Sequence, residues 1–160
     1  MRMTLVVVLV SVIAETTAAQ GKPDFSGRWV LVNPATASDI ARDLVVRESF
    51  EAPVTVLTVE RRSTGEVHIA TYKIGLAEGR TGAITEDGRG PTRTTKSAMW
   101  DGDRLVIETG TYSGARRQAG PYSEHDEVWS LDAQGRLVMI VTDRGSGTEL
   151  RTTQLTYRRA

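Results

Sequence analysis

From Ser26 onward, apolar and polar positions alternate in short runs, and the long 3.6-residue apolar period of amphipathic helices is missing. Thr and Val, whose branched side chains suit a pleated surface, are abundant. The pattern predicts strands at Ser26 to Val32, Val54 to Arg62, Glu66 to Ile74, Thr92 to Trp100, Arg104 to Thr109, Tyr122 to Leu131, Arg136 to Thr142 and Thr148 to Arg158. Short separators bearing Gly or Asp, such as Ser63-Thr64-Gly65, Asp101-Gly102-Asp103 and Asp132-Ala133-Gln134-Gly135, have the composition of hairpin turns, so neighbouring strands should be antiparallel. A short helix is expected between the first two strands, at Ala35 to Arg42, and Asp43 to Ser49 is a candidate additional strand.

These elements predict an all-β domain, an eight-stranded up-and-down antiparallel barrel. If successive strands alternate in direction, the three tight turns share one end. The longer connections at 33–53, 75–91 and 110–121 then converge on the opposite rim, leaving a cup that either is filled by side chains or holds one small ligand.

Upstream of the domain, Leu5 to Ala14 reads LVVVLVSVIA, preceded by Arg2 and followed by small residues up to Ala19. An apolar run of about 10 residues is too short to span a bilayer but suits a secretory signal. The expected organisation is therefore a signal peptide at 1–19 and a barrel domain at 20–160, exported to the periplasm or the extracellular space, with no stable membrane insertion after cleavage. The chain of 160 residues balances 20 Lys and Arg against 20 Asp and Glu, which argues against a nucleic-acid partner. It has no cysteine, so disulfide frameworks, thiolate nucleophiles and cysteine zinc sites are excluded. No cofactor or metal is expected from two isolated histidines without a metal-ligating spacing.

The run Phe25-Ser26-Gly27-Arg28-Trp29 resembles the Gly-x-Trp signature that opens the first strand of lipocalins and their calycin relatives. With the segment from Lys96 to Thr109, the chain is also similar to small exported bacterial proteins of no assigned function that carry an N-terminal DFSGxW motif. The resemblance implies a lipocalin-like barrel and no particular activity. It further implies that an arginine closing the last strand lies across Trp29 at the closed end: Arg158, with Arg159 as the alternative. Thr142-Asp143 is similar to a second lipocalin motif, with Arg144 standing where an aromatic is expected.

Candidate chemistry gathers near the expected rim. By the period of two, His125, Glu127, Trp129 and Leu131 share one strand face. If Trp129 points inward, His125 and Glu127 form the cavity wall nearer the mouth. Tyr112, Arg116, Arg117 and Tyr122 lie in or beside the connection at 110–121, with Arg80 and Arg89 in the glycine-rich stretch before the fourth strand; arginine with tyrosine can grip an acidic or flat group. There is no Gly-x-Ser-x-Gly elbow and no phosphate-binding loop opening a helix. The function expected is a noncatalytic exported protein that takes a small apolar or amphipathic, acid-bearing ligand in its cavity. A small barrel enzyme of isomerase, cyclase or hydrolase type using His125 and Glu127, or a partner-binding module with a filled barrel, are the alternatives.

Overall fold

The computed structural model describes residues 22–32, 40–74, 85–87, 92–113, 123–145 and 149–160. The expected signal peptide at 1–19, Ala35 to Asp39 of the expected helix, and Arg80, Arg89, Arg116, Arg117 and Tyr122 lie outside these residues. Ten strands are formed: β1 (Gly27–Leu31), β2 (Asp43–Glu51), β3 (Val54–Arg62), β4 (Val67–Ile74), β5 (Thr85–Asp87), β6 (Thr92–Asp101), β7 (Arg104–Ser113), β8 (Ser123–Leu131), β9 (Leu137–Arg144) and β10 (Arg151–Arg159). Nine of them form a closed ring in the order β4-β3-β2-β1-β10-β9-β8-β7-β6, sealed where β6 meets β4, and the short β5 pairs with β6.

The barrel therefore has nine ring strands rather than the expected eight, because Asp43–Glu51 is a full strand. Leu44 and Val46 are buried at alternate positions and drive it onto the core, although Arg47–Glu51 is exposed throughout. No helix occurs among the described residues, and Ile40 to Arg42 are irregular. An odd ring of alternating strands cannot close antiparallel everywhere. The single parallel joint falls at β4 and β6, through the pair Ile74↔Ala98, so the sheet is mixed rather than purely up-and-down.

The extra strand also reverses β3 and β4 relative to the eight-strand expectation. The turns at Asp101–Asp103 and Asp132–Gly135 mark one end of the barrel, the closed end, whereas the Ser63–Gly65 turn lies at the other. The connection from β4 to β6 starts at the closed end and finishes at the open end, so the three long connections do not all share the rim. At Gly102 the backbone takes φ 63°, the left-handed conformation that a two-residue hairpin turn demands and that glycine adopts without a Cβ penalty.

The closed end is sealed by aromatic rings. Phe25, fully buried just before β1, stacks on Trp100 with centroids 5.8 Å apart and meets Trp129 edge-on at 5.8 Å. Trp29 Nε1 donates to the Phe25 carbonyl at 2.8 Å, fixing this plug to the first strand.

The arginine over Trp29 is Arg159, with its guanidinium carbon 4.7 Å from the ring centroid. The expectation of Arg158 was one residue out. Tyr157 faces inward, so Arg158 projects outward and is exposed, while Arg159 pairs with Trp29 across the β1–β10 ladder. Arg159 also donates to the Ser26 carbonyl at 3.0 Å and the Asp24 carbonyl at 2.9 Å. Gly27, at φ 125°, lets it pass, since a Cβ there would stand 3.3 Å from Arg159 Nη1. Arg159→Ala is expected to cost about 1–2 kcal/mol, the scale of a cation–π contact plus backbone hydrogen bonds, and Arg158→Ala under about 0.5 kcal/mol. Urea midpoints that rank the two variants the other way would place the closing contact on Arg158.

Candidate functional site

At the open end a cavity of about 330 Å³ descends into the barrel. Its lining comes from the approach to β2 (Ile40, Ala41), from β2 (Leu44), β3 (Arg61) and β8 (His125, Glu127), and from the inward faces of β9 and β10. The ladders make these faces a series of rungs. The outermost rung joins His125, Asp143 and Arg151; below it come Glu127, Val141 and Thr153, then Trp129, Met139 and Leu155. Charge is thus concentrated at the mouth, and the wall becomes apolar with depth.

Glu127 is the centre of the polar layer, with a side chain 5% exposed. Arg61 Nη2 donates to both of its oxygens at 2.8 Å, His125 Nε2 lies 2.9 Å from Oε1, and Trp129 Nε1 donates to Oε2 at 2.8 Å. Each carboxylate oxygen therefore accepts two hydrogen bonds, and the group is saturated. Burial pushes the Glu127 carboxyl pKa up, but the hydrogen bond from His125 and the charges of Arg61 and His125 outweigh it and hold the value down at about 2.

His125 bridges outward from this centre, its Nδ1 2.6 Å from Asp143 Oδ1. The bond to Glu127, with a further contribution from Asp143, overcomes partial burial and raises the imidazole pKa from 6.5 to about 9, so the ring is a cation at neutral pH. Arg61 is backed by Tyr72, whose hydroxyl lies 3.5 Å from Nη1. Burial of Arg61 lowers its pKa, but Glu127 and Tyr72 more than compensate and the group stays charged. Deeper in, Tyr157 donates to the Ala41 carbonyl at 3.0 Å, tying the segment before β2 to the cavity wall, and burial pushes its phenol pKa well above the usual range.

Of the residues singled out in the sequence, His125 and Glu127 line the cavity and Trp129 is buried below them, on the inward face of β8. Tyr112 is set apart: Leu105 and Ile107 face inward on β7, so Tyr112 takes the outer face, where its ring lies against Gly110. Sequence reasoning missed Arg61, Asp143, Arg151 and Tyr157. A signal was present for Arg61, which continues the alternation of buried Leu57 and Val59 and so falls on an apolar inward face. Among the described residues, no group of three or more His, Asp or Glu is arranged to hold a metal ion.

No protein-family model matches the chain, and no curated protein is similar enough to it to indicate a family.

His125 and Glu127 contribute opposite pH dependences to stability. In the folded state His125 keeps its proton up to about pH 9, whereas an unfolded imidazole releases it near pH 6.5. Its contribution is complete below pH 6.5 and disappears as pH rises through 9. Glu127 behaves inversely: its contribution is complete above about pH 4.5 and is lost as pH falls toward 2. Denaturant midpoints are expected to be highest between about pH 4.5 and 6.5, and His125→Asn should flatten the alkaline decline. A midpoint for the native protein that holds level from pH 6.5 to 9 would mean that His125 is not held as a cation.

Proposed function

We propose that the protein is an exported, noncatalytic binder of a small amphipathic molecule bearing an acidic group, held with its apolar part in the barrel and its acid at the mouth. The observation that carries this reading is the cavity itself: about 330 Å³, open at one end, within the size range of small-molecule sites. Its mouth presents two cationic side chains, His125 and Arg151, against one carboxylate, Asp143; the Arg61–Glu127 pair bounds one side just below, and Leu44, Met139, Val141 and Leu155 line the interior. An acid at the rim gains a favourable field, and an apolar tail gains burial. The apolar run at Leu5–Ala14 supports the export.

Binding is favoured over base catalysis by the hydrogen bonds of the polar layer. Glu127 has no lone pair to spare, and His125, protonated and held between two carboxylates, is a poor proton acceptor at neutral pH.

The test uses three eight-carbon compounds that differ only in the head group. By titration calorimetry at pH 7, octanoate is expected to bind more tightly than octanol, and octanol more tightly than octylammonium. Arg151, exposed at the mouth, is expected to contribute up to about fivefold to octanoate binding, the scale of a solvent-exposed charge contact. Equal affinities for the three compounds, or no binding of any, would overturn the reading.

A further inference from the structure

The Arg61–Glu127 pair does more than neutralise two charges. In the nine-strand ring, β3 and β8 stand on opposite sides, separated by β2, β1, β10 and β9 one way and by β4, β6 and β7 the other. A hydrogen-bonded pair linking them crosses the barrel interior from wall to wall. Its ends are braced, by Tyr72 beside Arg61 and by Trp129 beneath Glu127.

The two sides of this crossing differ. The cavity is lined from the β2, β9 and β10 side, and no described residue of β4, β6 or β7 reaches it. On the far side, Ala70, Ile74, Ala98, Leu105 and Ile107 are packed out of contact with solvent.

We propose that Arg61 and Glu127 are specificity-determining residues: a transverse strut that confines the ligand to one half of the barrel and so sets the length of the apolar tail it accepts. This rests on the binding function proposed above. A polar wall suits that task because the end of an alkyl tail gains nothing by displacing it: the guanidinium and carboxylate would lose their hydrogen bonds in a buried setting, which costs more than the burial of a few methylenes returns.

The experiment measures dissociation constants for straight-chain alkanoates from hexanoate to hexadecanoate, on the native protein and on Arg61→Ala/Glu127→Ala. For the native protein, affinity should climb about fourfold per added methylene, the value of burying one CH₂, and then stop climbing at a definite chain length. In the variant the climb should continue for at least two further carbons, about a 16-fold gain at the longer length. If the double alanine variant fails to fold, Arg61→Leu/Glu127→Leu serves the same purpose, since paired apolar replacements of a buried ion pair commonly preserve stability and neither leucine spans the barrel. A folded variant with the native length limit would overturn the strut while leaving the binding reading intact. Failure of the native protein to bind any alkanoate would overturn both.

Discussion

Glu127→Ala is expected to lower the unfolding free energy by about 3–5 kcal/mol, the cost of breaking a buried ion pair by removing one partner. The size follows from what remains: Arg61 keeps a largely buried guanidinium with its main acceptor gone, Trp129 Nε1 loses its partner, and His125 is left with Asp143 alone. Glu127→Gln should cost less, because the amide retains one acceptor oxygen and most of the shape, although its NH₂ then faces a cation. Urea titration with circular dichroism measures both. A loss below about 1 kcal/mol for the alanine variant would show that the polar layer is open to water and that its hydrogen bonds exchange freely with solvent. The same variant should also shift the titration of His125 downward, since the bond to Glu127 is the largest contribution to its raised pKa.

Trp29→Ala is expected to cost about 3–5 kcal/mol, the range for deleting a large aromatic from a packed core. Trp29 has no exposed surface, and it carries two fixed connections: its indole nitrogen anchors the Phe25 carbonyl, and its face supports Arg159. Removing it would loosen the segment before β1 and the end of β10 together. Trp29→Phe, which keeps a ring for Arg159 but loses the donor to Phe25, should fall between the native protein and the alanine variant. An alanine variant within about 1 kcal/mol of the native protein would mean that the plug is held by Phe25, Trp100 and Trp129 without it.

Much of this fold is legible in the chain because each strand is a local alternation with local turns. The β8 face could be read directly: Trp129 and Leu131 establish its apolar end, and the period of two carries that face back to Glu127 and His125. What stayed hidden depends on relations between distant strands. The weight of β2 was obscured by Arg47–Glu51, which is exposed throughout and, Phe50 apart, polar, and the one additional strand reverses β3 and β4 up to the parallel joint with β6. The partnership of Arg61 with Glu127 follows from the ring order, which no local pattern encodes. The choice between Arg158 and Arg159 turns on one position in the final register, where a shift of one residue exchanges inside for outside.

The parallel joint at Ile74↔Ala98 has a kinetic corollary. The ring consists of two meanders, β1–β4 and β6–β10, each built from neighbours in sequence, and only two seams unite them: this joint and the β1–β10 ladder, where Trp29 pairs with Arg159 at almost the full length of the domain. Contacts between neighbours along the chain carry little loop-closure entropy, while the two seams carry most of it. Each meander is built on its own hairpins, and the slow event in folding is therefore expected to be the closing of the two seams. The charged crossing between β3 and β8 belongs to that same late event, because its two residues reside on different meanders and find each other only as the sheets come together.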